Sequence, residues 1–238
     1  MLENKININR FEIVSLLDGN SNIGVELGVA EGEYSIEILK SNKFKKFYGI
    51  DSYSEFQHND KEYEQTKKKL SVFKNYHLIR KTFEDSLIMF KNDSLDFIYI
   101  DGFAHTGNNG GKTLFDWIDK VKIGGICAGD DYHDNWPLVK KTVQYYTKNL
   151  DIKLYITDNN AKGKYSDYPS WYFFKENNIK KIIPHKFYIE GLAKHKEEII
   201  NRRFYNRLNI KYLLYNLVKY LLPNKIFAYL LTIYKKFK

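Results

Sequence analysis

The stretch GVELGVAEGEYS, residues 24–35, decides the fold of this chain. An aliphatic run predicts a strand over Ile23–Leu27, and glycines follow at Gly28 and Gly32. A helical pattern then covers Glu33–Lys40. A glycine-rich turn between a strand and a helix lets backbone N–H groups and the helix N-terminus approach a ligand. The same turn also serves as a tight strand-to-helix connection, so the stretch alone leaves both interpretations open.

Short β-rich runs alternate with longer amphipathic segments on either side of this turn, which is typical of βα units around a mostly parallel sheet. The predicted strands lie near Ile23–Leu27, Lys46–Asp51, His77–Lys81, Leu95–Asp101, Gly125–Gly129, Ile152–Thr157 and Ser170–Lys175. The predicted helices are Glu33–Lys40, Lys61–Phe73, Asp85–Phe90, Thr113–Val121 and Pro137–Lys148. The last two strands have no helix between them, which predicts an α/β fold with a seven-stranded, mostly parallel sheet and an antiparallel last strand.

The composition is that of a globular protein with a sizeable core, since 43% of its 238 residues are hydrophobic and 16% are aromatic. Its single cysteine, Cys127, cannot form an internal disulfide, and no Cys/His cluster has the spacing of a structural zinc site. The N-terminal residues lack the cationic start and apolar run of a secretory signal. These features predict a cytoplasmic protein.

The net charge of +9 is confined to the C-terminal tail, residues 201–238, which carries nine Lys or Arg and no Asp or Glu. We therefore divide the chain into a domain of residues 1–183 and a basic amphipathic helical extension of residues 184–238. Neither apolar run of the extension approaches the ~18 residues that a membrane-spanning helix needs. Three partners remain open: an anionic surface at the inner face of the cell membrane, a second subunit or domain, as in a homodimer, and nucleic acid. Nucleic acid is the least favoured because the basic residues have many apolar neighbours.

An acidic residue, Asp51, ends the second predicted strand and stands 19 residues after Gly32. In nucleotide-binding βαβ units a carboxylate at about this place accepts the hydroxyl groups of a ribose. The alternative is that Asp51 caps a helix or forms a turn. Both interpretations place a carboxylate beside the glycine turn.

Four segments, VELGVAEGEYS, YGIDSY, DFIYIDGFAH and IGGICAGDDYHD, follow one another in the order and spacing found in class I S-adenosylmethionine-dependent methyltransferases. The chain resembles, more narrowly, the branch whose fourth strand ends in an IDG-x-H type motif and whose fifth ends in GG…DDY. That branch includes sugar and natural-product O-methyltransferases and enzymes that modify capsules or lipopolysaccharides. The resemblance covers about residues 20–176 and implies a Rossmann-like sheet with S-adenosylmethionine as cofactor.

Acidic residues in the turn favour this cofactor over a dinucleotide, since Glu26 and Glu31 would repel a pyrophosphate but suit a sulfonium or an ammonium group. The resemblance places Asp51 at the ribose and Phe83 and Glu84 at the adenine, although Phe83 is equally consistent with a core position. The full set of predicted cofactor-binding residues is Glu26, Gly28, Glu31, Gly32, Asp51, Ser52, Phe83, Glu84 and Asp101.

Three carboxylates follow the predicted fourth and fifth strands, Asp101 on the first and Asp130 and Asp131 on the second. Carboxyl ends of parallel strands meet at one edge of a sheet, and carboxylate oxygens are ligands that Mg²⁺ prefers. Such an ion would acidify and orient a substrate hydroxyl. The alternative is that Asp130 and Asp131 cap a helix or bind backbone amides.

His105 is the predicted general base because an imidazole titrates near neutrality, with Asp101 and Asp131 as further catalytic candidates. A structural histidine is the alternative. Many relatives carry an acid directly before this histidine, whereas this chain has Phe103 and Ala104. The following segment GNNGGKT is one residue short of a phosphate-binding loop, and its Lys112 is expected to attract an anionic acceptor.

The sequence thus predicts a methyltransferase that acts on the oxygen of a carbohydrate or glycan substituent, including a phosphorylated or phosphoramidate group of a surface polysaccharide. One rival is a metal-dependent O-methyltransferase of the catechol kind, with a small-molecule acceptor. The other is a non-catalytic scaffold, docked on a membrane, that keeps the methyltransferase fold.

Overall fold

The computed structural model describes residues 3–54, 58–101, 111–158, 168–177, 189–190 and 193. The chain divides into two compact units, Met1–Leu192 and Ala193–Lys238. Almost all of the second unit lies outside the described residues, so the extension of residues 184–238 stays a prediction. Within the described part of the chain, no helix is both long and apolar enough to cross a membrane.

One mixed sheet is the framework of the first unit, and the described residues contribute eight strands to it. In chain order these are β1 (Asn4–Lys5), β2 (Asn22–Leu27), β3 (Phe44–Asp51), β4 (Tyr76–Arg80), β5 (Leu95–Ile100), β6 (Val121–Gly129), β7 (Tyr155–Ile156) and β8 (Trp171–Phe174). The spatial order is β1-β7-β8-β6-β5-β2-β3-β4. β8 is antiparallel to both of its neighbours, and every other pair is parallel.

The predicted α/β fold with an antiparallel last strand is confirmed, with one strand added at the edge of the sheet. That strand, β1, has two residues and pairs in parallel with β7. A strand of two residues is too short to show a periodic sequence pattern, which is why it was not predicted. β1 places the N-terminal segment beside the sheet, which matters for the site described below.

The α-helices of known bounds are α1 (Glu33–Lys40), α2 (Asp60–Leu70), α3 (Phe83–Ser86), α4 (Lys112–Trp117) and α5 (Pro137–Asn149). Short 3₁₀ segments cover Glu12–Leu16, Leu87–Met89 and Ile118–Lys120. The third helix begins at Phe83, two residues before its predicted start, because the Thr82 side chain accepts the backbone N–H of Asp85 and so caps it.

Alternate residues of the central strands pack into two different cores, one on each face of the sheet. On β5, Ile98 and Ile100 belong to a core shared with α4 and α5, whereas Phe97 and Tyr99 belong to a core shared with α1. Helices therefore cover both faces, as in doubly wound folds. The central strands β2 and β5 are almost wholly buried.

The reversal of strand order lies between β2 and β5. From β2 the chain passes to β3 and β4 on one side, and it then returns to form β5 on the other side of β2. In open α/β sheets, ligands bind in the crevice at the carboxyl ends of strands at such a reversal. The turn after β2 and the residue after β5, Asp101, both lie at this point.

Candidate active site

The turn after β2 has an unusual backbone, with positive φ at three of its residues. The φ angles are 94° at Gly28, 46° at Ala30 and 75° at Gly32. The N–H of Gly28 donates to the carbonyl of Ile50 at 2.9 Å, so the pairing with β3 continues into the turn before the chain reverses. Glycine suits the two larger φ angles because it has no Cβ atom.

Asp51 connects the turn to the end of β3. Its Oδ2 atom accepts the backbone N–H groups of Val29 at 3.0 Å and Ala30 at 3.1 Å, and its Oδ1 atom accepts the N–H of Tyr53 at 3.0 Å. The turn-forming interpretation of this carboxylate is therefore observed. Its contact with a ribose stays a prediction, and the position beside the glycine turn is compatible with it.

Two hydroxyl groups donate hydrogen bonds to the backbone of the turn. The carbonyl of Ala30 accepts the hydroxyl of Tyr53 at 2.8 Å and the hydroxyl of Thr66, on α2, at 2.9 Å. Tyr53 is 1% exposed and its φ is +47°. No sequence pattern distinguished Tyr53 or Thr66, yet together with Asp51 they hold both the N–H donors and the carbonyl acceptor of the turn.

Gly32 serves packing as well as chain reversal. A Cβ atom at this position would lie 2.8 Å from Cδ1 of Leu70 and 3.1 Å from Cγ2 of Thr66. Both neighbours belong to α2 and are buried. Gly32 therefore lets α2 approach the turn closely, and its predicted contact with the methionine part of the cofactor stays a prediction.

Glu26 lies beneath the turn, where it is 1% exposed. Its carboxylate accepts the hydroxyl of Ser35 on α1, and that hydroxyl lies 3.0 Å from the hydroxyl of Tyr76. Burial raises the pKa of Glu26 well above its ordinary value, although the Ser35 hydrogen bond acts in the opposite direction. Its direct contact with a cofactor stays a prediction, and the second turn acid, Glu31, is half-buried.

The residues predicted to contact the adenine, Phe83 and Glu84, differ in burial. Phe83 is half-buried and packs against the core of α4 and α5, which is the alternative left open for it. The Glu84 carboxylate is exposed and pairs with the Lys112 ammonium at 3.2 Å, and that ammonium also pairs with Asp116 at 2.5 Å. Lys112 thus has two acidic partners, which raise its pKa, so its expected attraction for an anionic acceptor gains no support. Ser52 directly follows β3, and its hydroxyl contacts that of Ser54.

Arg10 lies at the carboxyl ends of β5 and β6. This residue was not predicted from the sequence as part of the site. Its guanidinium donates to Oδ2 of Asp101 at 2.7 Å and to Oδ2 of Asp130 at 2.6 Å. The Arg10 side chain is 4% exposed, and those of Asp130 and Asp101 are 5% and 24% exposed. The only sequence signal was a single base within the apolar N-terminal segment ININRFEIV.

Aromatic rings surround the Arg10 guanidinium. Its Cζ atom lies 4.9 Å from the ring centroid of Tyr34, 5.3 Å from that of Tyr99 and 5.7 Å from that of Phe11. These distances are in the range in which the face of a ring stabilises a cation. Burial acts to lower the pKa of Arg10, but the neighbouring carboxylates of Asp130 and Asp101 act in the opposite direction and its pKa is raised, so the residue is a permanent cation.

Asp130 is satisfied on both carboxylate oxygens. Oδ2 accepts from Arg10, and Oδ1 accepts the hydroxyl of Ser170 at 2.9 Å. The backbone N–H of Asp131 also bonds to this carboxylate. Burial raises the pKa of Asp130, and Arg10 with these hydrogen bonds acts against that rise.

The predicted metal site at Asp101, Asp130 and Asp131 is not what the structure shows. Arg10 is ion-paired with the first two carboxylates, and the backbone of Asp131 has a positive φ of 61°. In the described part of the chain, no group of three or more His, Cys, Asp or Glu side chains is arranged to hold a metal ion. These residues do not fit Mg²⁺, and the backbone-amide interpretation of Asp130 is observed in its place.

The predicted base, His105, lies outside the described residues, as does the loop of residues 102–110. A second histidine, His133, follows β6 and stacks on Tyr168 with ring centroids 4.6 Å apart. Its Nδ1 atom accepts the N–H of Asn135 at 3.2 Å, and the Asn135 amide donates to the Tyr168 hydroxyl at 2.9 Å. This partly exposed group borders the acidic strand ends.

Known proteins resemble this chain in both sequence and fold. Residues 25–132 match a family model described as a methyltransferase domain. The cofactor-bound Rv0187 protein from MTB superimposes with a TM-score of 0.51 at 12% identity, covering 71% of this chain and 80% of that chain. A proposed rRNA methylase from Clostridium thermocellum superimposes with a TM-score of 0.51 at 15% identity, covering 70% of this chain and 93% of that chain.

At these identities the structural likenesses show the fold. A search of curated proteins finds no match for the sequence. The matched domain includes the glycine turn, Asp51, Asp101 and Asp130, so all the site residues described above except Arg10 and those after Tyr132 lie within it. The chain is therefore similar in sequence to a methyltransferase domain over residues 25–132, and its fold is that of the two solved structures.

Proposed function

We propose that the protein transfers the methyl group of S-adenosylmethionine to an oxygen atom of a carbohydrate or of a glycan substituent. The observation that carries this proposal is the partly exposed group of His133, Asn135 and Tyr168 beside the strand ends. Sugars commonly bind against aromatic faces while amide groups hydrogen-bond their hydroxyls. A stacked pair next to an amide is such a surface.

The chemistry needs few groups from the protein. Methyl transfer is an in-line displacement at an electrophilic carbon, so the protein must position the acceptor hydroxyl, remove its proton and exclude water. Asp101 is partly exposed at the reversal point and is our candidate carboxylate for removing the proton. The role of His105 as base stays a prediction, and so do those of Asp101 and Asp131.

The rival interpretation as a catechol-type enzyme would require a metal at the strand-end acids. Arg10 occupies two of these acids, so the geometry favours an enzyme that does not use Mg²⁺. A phosphorylated or phosphoramidate acceptor belongs to the same proposal, and the basic tail would bring the enzyme to a lipid-linked glycan at a membrane surface.

Formation of S-adenosylhomocysteine by the purified protein tests the proposal. The acceptor panel contains free sugars, nucleotide sugars, phosphorylated sugars and catechols. We expect turnover with a sugar acceptor and no effect of chelation, together with a raised KM for that acceptor in His133→Ala. Asp134→Ala, which removes an exposed neighbour, is the matched control. Turnover with catechols alone, or turnover abolished by chelation, would contradict the proposal.

A further inference from the structure

We propose that Arg10 is a built-in cation that takes the place of a divalent metal between Asp101 and Asp130. Two of its guanidinium nitrogens lie 2.7 and 2.6 Å from carboxylate oxygens of these residues. Both carboxylates follow neighbouring parallel strands, which is the arrangement that predicts a metal site from the sequence. The positive charge is present, but the chain itself supplies it.

The sheet fixes the backbone of the two acidic residues independently of the cation. The N–H of Asp101 donates to the carbonyl of Leu27 at 2.7 Å, and the N–H of Asp130 donates to the carbonyl of Ile100 at 3.1 Å. Both residues therefore continue the pairing of the strands that they follow. Two acids held this close repel each other unless a cation lies between them.

The surroundings favour a guanidinium over a hydrated metal ion. Tyr34 and Tyr99 present ring faces to the cation, and Arg10 is 4% exposed. A ring face stabilises a cation without acting as an oxygen ligand, whereas Mg²⁺ keeps several water molecules or oxygen ligands around it. The apolar stem of Arg10 also fills space that a small ion would leave open.

The exchange of cation changes the charge of the site. Two carboxylates and one guanidinium leave a net charge of −1, whereas two carboxylates and Mg²⁺ would leave none. The cofactor carries a positive sulfonium group, and a net negative site attracts it. Arg10 is thus a positioning residue that holds Asp101 at the crevice and keeps the site acidic.

Mn²⁺ binding to the full chain, followed by electron paramagnetic resonance, tests this inference without measuring turnover. We expect no stoichiometric Mn²⁺ binding by the wild-type protein, and no change in Tm or in affinity for S-adenosylhomocysteine on chelation. Stoichiometric Mn²⁺ that disappears in Asp130→Asn would overturn the inference. The methyltransferase assignment would survive that result, because it depends on cofactor binding.

Mn²⁺ binding by Arg10 variants distinguishes two interpretations of Arg10: a cation in the place of a metal ion, and an ordinary ion pair. Arg10→Ala leaves the two carboxylates without their cation, and we expect it to bind Mn²⁺ stoichiometrically, unlike the wild-type protein. Arg10→Lys keeps a cation and should not bind Mn²⁺. Arg80→Ala, which breaks the surface pair with Asp60, is the matched control and should not bind it either. A folded Arg10→Ala protein that fails to bind Mn²⁺ would overturn the inference.

Arg10→Ala could unfold, which circular dichroism would show. The decision then rests on the wild-type protein and on Arg10→Lys, because neither should bind Mn²⁺ if the chain supplies the cation. Stoichiometric Mn²⁺ in either protein, lost when Asp130→Asn is added, contradicts the inference in that case as well.

Discussion

Asp51 joins three backbone N–H groups from two segments of the chain, so its removal should affect both stability and cofactor binding. Asp51→Ala leaves these donors without their charged acceptor, which we expect to cost about 1 to 3 kcal/mol of unfolding free energy. The loosened turn should also weaken S-adenosylhomocysteine binding by about tenfold or more, equivalent to about 1.4 kcal/mol. Urea unfolding and calorimetric titration measure the two effects.

The control for this prediction is Glu37→Ala, which removes a surface carboxylate paired with Lys40 at 2.6 Å. A surface pair of this kind is worth about 0 to 1 kcal/mol, and Glu37 lies on the exposed side of α1. If the two variants lose equal stability and retain equal cofactor affinity, Asp51 does not hold the turn in the way the structure describes.

Glu26 makes stability depend on pH. Burial raises its pKa well above the ordinary value of 4.5, so the folded protein keeps a proton that the unfolded chain releases above about that pH. The contribution of Glu26 to the unfolding free energy therefore falls as pH rises above 4.5, by up to about 1.4 kcal/mol per pH unit. Glu26→Gln carries a neutral amide at every pH and removes this dependence.

The measurement is the unfolding free energy of both proteins at several pH values between about 5 and 8, taken from urea titrations. We expect the Gln variant to gain stability relative to wild type as the pH increases. Asp130 titrates in both proteins, so its effect cancels in the difference. A difference that stays constant with pH would mean that Glu26 is ionised in the folded state.

The contact between the turn and α2 sets a limit on side-chain size at Gly32. Gly32→Ala adds a Cβ atom 2.8 Å from Leu70, in addition to the strain of a φ angle of +75°. Gly19→Ala is the matched control, because its φ is +61° and nothing lies within 4 Å of the added atom. We expect the control to lose about 1 kcal/mol and Gly32→Ala to lose about 1 to 3 kcal/mol more. Equal losses in urea unfolding would show that α2 does not press against the turn.

The elements that the sequence predicted are those with strong local patterns. β2 and β5 are mainly apolar runs that are followed by glycine and aspartate, and α1 has the predicted bounds of Glu33–Lys40. β1 could not be predicted because a two-residue strand has no period. The start of α3 was missed because Thr82, which caps the helix, also fits a loop.

The site was predictable only where its residues follow strands directly. The turn, Asp51, Asp101 and Asp130 lie at strand ends, and the order of the strands brings them to one edge. The partners of Arg10 are 91 and 120 residues away in the chain, and no local pattern links such positions. The acids alone indicated a metal, because the sequence does not show which cation will lie between them.

At the scale of the whole molecule, charge is divided between body and tail. Residues 1–200 carry 29 basic and 29 acidic side chains, while residues 201–238 carry nine basic side chains and no acidic ones. A neutral body has no net attraction for an anionic surface, so any such attraction belongs to the tail. The Leu, Phe and Tyr residues between the bases suit the boundary between lipid headgroups and acyl chains.

Sedimentation with lipid vesicles tests this division of charge. We expect the full chain to sediment with vesicles that contain phosphatidylglycerol, less so at high salt, and not with neutral phosphatidylcholine vesicles. A chain ending at Ile200 should stay in solution, since each lost base near an anionic surface is worth about 1 kcal/mol. If the shortened chain sediments equally, the tail is not the anchor. The alternative is that the tail binds a second subunit. In that case the full chain does not sediment with vesicles, and light scattering shows a dimer for the full chain and a monomer for the shortened chain.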